Sequence, residues 1–241
     1  MAGLLTKIMG TKETQVLEVD PTFLAARVAM RPLEYVANGR ILGHYAVEHR
    51  SGELAATIGA LGHLASLRWS DSTAFCVLTR IKVGYSISAA VTTAVQMNMR
   101  AVLARGFSVD FSTARTLSNL AAVPKANAMR SSMNGSLMGV NGPAISTTTV
   151  MSSQTLTADT DGFAFTNWPA LLGTNGTGTA VALPVGMAGE MQTLYECTSP
   201  YQHPIVLSQN EGVIIQPITA GPASGTFAIY VQWEWAEVEV F

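Results

Sequence analysis

Phe227-Ala228-Ile229-Tyr230-Val231-Gln232-Trp233-Glu234-Trp235, close to the end of the chain, is the stretch that decides the fold. Every odd residue in it is large and apolar, and the even ones are Ala, Tyr, Gln and Glu. Period two is the mark of a β-strand with one face in a core and the other against water. Beyond Trp235 the apolar parity changes: Val238 and Val240 are apolar, while Glu237 and Glu239 are polar. A slip of one residue exchanges the two faces of a strand, so a β-bulge or a change of packing partner is expected near Ala236. A committed core strand here suits a β-sandwich whose final strand closes a sheet.

The same period recurs upstream. Phe75, Val77, Thr79, Ile81, Val83, Tyr85 and Ile87 alternate with Cys76, Leu78, Arg80, Lys82, Gly84 and Ser86. Residues 91–103 alternate too, and the short Ser88-Ala89-Ala90 link predicts that the two runs form a hairpin. Phe107, Val109 and Phe111 keep the odd parity, with a bend expected at Gly106. Ile41 to His49 reads as a short strand closed by Arg50-Ser51-Gly52. Further short strands are expected at Ile145–Val150, Gln154–Thr157, Glu190–Cys197, around Ile205 and around Ile214. One helix fits between Thr113 and Arg130, capped by Thr113 or Ser118 and stopping before Pro124. Residues 131–189 are rich in Gly, Ser, Thr, Asn and Ala and predict long loops carrying short strands. Many short strands with Gly/Pro turns argue for an all-β sandwich of jelly-roll type over residues 41–241.

Residues 1–40 read differently. Leu4, Leu5, Ile8, Met9, Phe23, Leu24, Val28, Met30, Leu33 and Tyr35 are apolar without a sustained period, and Pro21 and Pro32 block a long regular element. This is the pattern of an extended N-terminal arm that docks on its own domain or on a neighbour, because a free apolar arm invites aggregation. Composition points the same way. Charged residues are 12% of the chain, about half the usual share. A surface so poor in charge tends to associate, which predicts a homo-oligomer, a trimer being favoured. The net charge of −2 and the absence of a Lys/Arg run exclude a phosphate-binding surface, so no nucleic-acid partner is expected. No run approaches the roughly 18 apolar residues of a membrane span, and no signal peptide is read, so synthesis and assembly in a cytoplasm are expected. Cys76 and Cys197 read as two thiols, not as a disulfide scaffold.

The chemistry-bearing residues form no convincing site. His44, Glu48 and His49 are the nearest approach to a metal cluster, but on a strand His49 faces away from the other two, so a solvated strand edge is expected. His63 and His203 have no acidic or thiol neighbour in sequence. Gly135-Ser136-Leu137-Met138-Gly139 lacks the spacing of a nucleophile elbow. Gly173-Thr174-Asn175-Gly176-Thr177-Gly178 lacks the Lys-Ser/Thr of a phosphate-binding loop. Asn134-Gly135-Ser136 and Asn175-Gly176-Thr177 read as turns rather than glycosylation sites. Glu234 is separated by parity from Glu237 and Glu239, so no carboxylate pair is assigned. Trp168, Trp233, Trp235 and Tyr230 could form a sugar-stacking platform, but Trp233 and Trp235 share the parity of Ile229 and Val231 and read as core. Met129, Met133, Met138 and Met151 suit loops pressed against another subunit. The reading is therefore of a protein that is not an enzyme, with no catalytic, cofactor-binding or metal residues.

Two sets of residues carry a family resemblance. Asp20-Pro21-Thr22-Phe23 and Arg31-Pro32-Leu33-Glu34-Tyr35 stand near the N-terminus. His203-Pro204-Ile205-Val206-Leu207, Gln209-Asn210-Glu211-Gly212 and Trp235-Ala236-Glu237-Val238 stand near the C-terminus. Together they resemble a group of tailed-bacteriophage virion proteins, small charge-poor β proteins of structural gene clusters. The two ends carry the likeness, and residues 105 to 190 are far less typical. The resemblance implies a structural role in the virion, chiefly that of a capsid decoration (cement) protein on the head surface, with the major capsid protein or other virion proteins as partners. A tail or fibre component is the alternative within that class, and a carbohydrate-binding receptor module the alternative outside it. The resemblance implies no catalytic residues.

If residues 1–35 serve assembly more than folding, a chain beginning near Leu33 unfolds with near-normal cooperativity yet binds its neighbours less well. A truncated chain that does not fold at all contradicts this reading.

Overall fold

The computed structural model describes residues 41–55, 58–89, 98–109, 114–116, 143–151, 155–166, 188–198, 203–222 and 224–239. All of these belong to the compact unit Tyr35–Phe241. The arm expected over residues 1–40, the end of the chain at Val240 and Phe241, and most of the loop region 131–189 lie outside them.

Thirteen strands and no helix occur among the described residues. In chain order they are β1 (Ile41–Arg50), β2 (Leu54–Ala55), β3 (Ala65–Trp69), β4 (Phe75–Ala89), β5 (Met99–Val109), β6 (Ala114–Thr116) and β7 (Ala144–Ser146). There follow β8 (Thr155–Ala158), β9 (Ala164–Phe165), β10 (Ala188–Glu196), β11 (Ile205–Leu207), β12 (Glu211–Pro217) and β13 (Thr226–Val238). They form two antiparallel sheets. The first runs β1-β13-β4-β10, with β2 beside β13 and β11 beside β4. The second runs β6-β7-β3-β12-β5-β8, with β9 beside β5. The eight principal strands, in chain order β1, β3, β4, β5, β8, β10, β12, β13, cross from one sheet to the other at every step except β5 to β8, which are neighbours in the second sheet, and form two interlocked Greek keys. This is the double-sheet jelly roll.

One core fills the space between the sheets. Tyr45 and Val47 of β1, Leu78, Ile81, Val83 and Ile87 of β4, Leu67 and Trp69 of β3, Met99 and Ala101 of β5, and Val213 and Ile215 of β12 meet there. The odd residues of β13 complete it: Phe227, Ile229, Val231, Trp233 and Trp235 are all fully buried. The expected inner face of this strand is therefore the observed one.

The parity change after Trp235 has a different origin from a bulge in β13. The strand runs on in register with β4 to Val238, and no extra residue interrupts it. Ala236 and Val238 point to the opposite face of the sheet and form a second small cluster with Val77. A change of packing partner is what the sequence records. The extra residues sit in the neighbouring strands: Leu42 in β1, and Thr79 and Ser88 in β4, stand opposite no residue of β13. The bulge at Thr79 carries β4 across faces, so Cys76 and Leu78 join Ile81 and Val83 in the core.

Three expectations are corrected. β4 and β5 do not form a hairpin, because β4 pairs with β13, β10 and β11 in one sheet and β5 with β12, β8 and β9 in the other. Period two identifies a strand but not its partner. Ala114–Thr116, inside the span read as a helix, is strand β6, and the rest of that span lies outside the described residues. Phe107 does not continue the odd face of β5. Gly106 adopts φ +59° and the register with β8 shifts between Arg105 and Val109. Phe107 thereby turns to the outer face, beside Val102, Ala104 and Ile214. A Cβ on Gly212 would stand 2.8 Å from the Phe107 ring and 2.4 Å from the Leu67 carbonyl oxygen, so only glycine fits there.

Trp233→Ala should destabilise the fold by about 3–5 kcal/mol, the usual cost of emptying a buried aromatic site. Gln232→Ala, on the opposite face of the same strand, should change stability by no more than about 0.5 kcal/mol. Denaturant melts of the two variants make the comparison. Equal losses would mean that both faces of β13 are packed alike.

Candidate functional site

The polar side chains of the described region mostly serve turns and core contacts. Three fully buried tryptophans each donate their indole N–H: Trp69 to the Ala74 carbonyl at 2.8 Å, Trp233 to His49 Nε2 at 2.9 Å, and Trp235 to Glu237 Oε1 at 3.0 Å. A buried indole without an acceptor would forfeit a hydrogen bond, so these partners are part of the core. His49 is thus not on a solvated edge. It pairs with Val231 and lies on the inner face of β1, only 8% exposed, while His44 and Glu48 face outward opposite Ala236 and Gln232. Geometry separates the three residues, and no three metal-ligating side chains gather among the described residues.

Glu237 is fully buried on the inner face, between Gly43 and Cys76. Tyr45 stacks on Trp235 with ring centroids 5.7 Å apart. Burial, reinforced by the charge of Glu237, pushes the Tyr45 hydroxyl up to about 12. The same two causes hold the Cys76 thiol well above its ordinary value. Neither Cys76 nor Cys197 is in a disulfide; the first is buried and the second half-buried. A buried thiol kept protonated is a poor nucleophile.

Glu234 occupies the outer face and accepts from Arg80 and from Gln232. Arg80 also reaches Glu196 at 3.5 Å. The hydrogen bond to Glu234, ahead of these charges, raises the guanidinium further. Glu234 and Glu237 therefore stand on opposite faces of β13. Of the aromatic platform, Trp233 and Trp235 are sealed in the core and cannot stack on a sugar. Trp168 lies outside the described residues, as do the glycine-rich loop 173–178, both Asn-Gly-Ser/Thr triplets, the Gly135–Gly139 segment and Met129, Met133 and Met138. Met151 is buried against the outer face of the second sheet.

The two ends of the sandwich differ in chemistry. At the end holding the β3–β4 and β11–β12 turns, charges abound. Asp71 accepts from the Thr73 and Ala74 amides and the Thr73 hydroxyl; burial opposes its charge, but these bonds outweigh it and lower its carboxyl. Asn210, at φ +63°, makes the turn before β12, and Glu211 accepts from the Ser208 amide and hydroxyl. Arg105 reaches Asp159 at 3.4 Å and Glu211 at 3.6 Å. It borders a cavity of about 210 Å³ lined by Leu103, Ile205, Val206 and Leu207. Gln209-Asn210-Glu211-Gly212 is thus a turn with each of its last three residues fixed for a structural reason.

The opposite end carries Leu61 and Ile218, 48% and 39% exposed. The Leu61 amide donates to the Pro217 carbonyl at 2.8 Å, and the Ile218 amide to the Asn98 carbonyl at 2.8 Å. Phe165, 68% exposed, sits at this end of the same sheet, beside Arg100 across β5. These are the large apolar side chains left open among the described residues. Sequence reasoning missed all three, because nothing in their local pattern separates them from core residues. No family model, no curated protein and no solved structure matches the chain.

Two histidines make a pH test. Burial holds both His44 and His63 below the ordinary 6.5. A histidine with a lowered folded value binds its proton more readily when unfolded, so its contribution is complete above pH 6.5 and is lost as the pH falls below it. Stability should decline between pH 7 and 5, and His44→Gln/His63→Gln should flatten that slope. Urea melts across this range check it; an unchanged slope in the double variant contradicts it.

Proposed function

We propose that this chain is a structural protein of a tailed-bacteriophage virion, a capsid decoration (cement) protein that binds the head as a homo-oligomer. The observation that carries the reading is the jelly-roll sandwich with its apolar groups open at one end and its polar groups spent on turns. The double-sheet jelly roll recurs in viral capsid domains and in lectins, so the fold permits both the structural and the sugar-binding readings and the side chains must decide. Two of the three tryptophans of the sugar-binding reading are buried in the core, which favours the structural one. The low charge supports assembly, since a chain with only 12% charged residues has few charges to keep its surface from associating. The C-terminal motifs behind the phage resemblance support it also: Glu211 and Asn210 shape a turn, and Trp235 and Glu237 pair in the core.

The test is to locate the chain on purified particles with a gold-labelled antibody and to weigh the free protein by light scattering. The expected results are label on the head and a trimer, three times the 25.5 kDa chain mass. Label on the tail would move the protein to the alternative role within the virion. Absence from the particle, or a glycan array with specific hits, would overturn the structural reading.

A further inference from the structure

We propose that Asp161-Gly162 is a site of spontaneous covalent modification, where the aspartate closes to a succinimide and reopens to isoaspartate. The inference is independent of the assembly reading above. Asp161 and Gly162 stand in the loop between β8 and β9, and both are exposed. Among the described residues they are the one place where an aspartate or asparagine precedes a glycine. The following residue matters because the ring closes through its amide nitrogen. A Cβ on that residue crowds the approach, and glycine has none.

The structure separates Asp161 from the other described aspartates. Asp71 precedes Ser72, and its carboxylate is held by the Thr73 amide, the Thr73 hydroxyl and the Ala74 amide. Asp159 precedes Thr160 and reaches Arg105 at 3.4 Å. Among the described residues no hydrogen bond or ion pair engages the Asp161 carboxylate, and none engages the Gly162 amide. The anchors of the loop lie on either side of the pair. The Asp159 amide donates to the Leu103 carbonyl at 2.8 Å, and the Phe163 amide to the Ala101 carbonyl at 2.9 Å. Nucleophile and electrophile are thus both unengaged between two fixed points. Residues 157–161 line an open depression of about 440 Å³, which admits the water that reopens the ring.

The reaction balances with water alone. The Gly162 nitrogen attacks Asp161 Cγ and forms a new N–Cγ bond. A Cγ–O bond of the protonated carboxyl breaks, and its hydroxyl leaves with the amide proton as water. Water then adds to one of the two ring carbonyls. Addition at Cγ breaks the new bond and restores aspartate. Addition at the backbone carbonyl breaks the original peptide bond instead, and the chain then runs through Cβ and Cγ as isoaspartate. The product has one more backbone carbon between the two anchors. Gly162 already stands close to β5, where a Cβ would come within 3.1 Å of the Ala101 carbonyl oxygen, so a longer loop is expected to loosen the Phe163 anchor. Phe163 packs edge-on against Tyr195 of β10, with ring centroids 5.6 Å apart, so the change reaches a contact between the two sheets.

The test incubates the folded full chain at neutral pH in water enriched in oxygen-18, since each reopening of the ring leaves one heavy oxygen in a carboxyl. A synthetic peptide of residues 157–163 in the same solution serves as the clock, and sampling ends when it has turned over. Chymotryptic digestion in ordinary water and fragmentation then place the label. Heavy oxygen is expected at residue 161, in a peptide that an isoaspartate methyltransferase also labels. The Phe163 amide of the aged chain should exchange faster than that of the fresh one. Asp161→Glu, which would have to close a six-membered ring, should fold normally by thermal melt and lose both signals. A folded chain without heavy oxygen at residue 161 overturns the proposal. So does label confined to Asp71 or Asp159, or label that persists in the Asp161→Glu peptide.

Discussion

The structure depends on β13 and on the fact that it is paired along both edges. On one side it bonds to β1 and, at its start, to β2; on the other it bonds to β4 along its whole length. Its inner face carries two tryptophans, a phenylalanine, an isoleucine and a valine, all fully buried. A strand held on both edges and on its face by large side chains has no freedom to slip, because a one-residue shift would turn every one of them outward. The irregularities of the first sheet are displaced to its neighbours, at Leu42, Thr79 and Ser88. The indoles complete the constraint, since the Trp233 and Trp235 N–H groups must find His49 and Glu237 inside the core.

This explains which parts of the fold were legible in the sequence. The inner face of β13 follows from alternation alone, because one side of that strand meets the core and the other is partly wet. β3 was not foreseen, and β12 showed no clean alternation. The outer face of their sheet is covered too: Ile214, Val102 and Ala104 are as buried as Val213 and Ile215. When both faces are apolar, period two disappears and only a short apolar run remains. The wrong hairpin has the same root. Alternation in β4 and β5 reports two strands, while the jelly-roll connection that sends them to different sheets is a long-range property. The role of His49 was hidden because a histidine at a core position looks like any other until its acceptor nitrogen meets an indole.

Among the described residues, the polar chemistry belongs to the fold. Asp71, Asn210 and Glu211 build turns, Glu237 sits in the core beside Trp235, and Arg80 and Glu234 lace the outer face of the first sheet. The large apolar side chains that remain open are gathered at one end: Leu61, Ile218 and Phe165.

Native-state hydrogen exchange measures the central constraint most directly, because it ranks strands by the free energy needed to expose their amides. If β13 holds the sandwich together, its amides from Ile229 to Trp235 exchange only through global unfolding. They share that slowest class with their β4 partners from Leu78 to Tyr85, while β9 and β11 exchange earlier. Exchange of the β13 amides through a local opening, while β5 and β12 stay protected, would contradict the account.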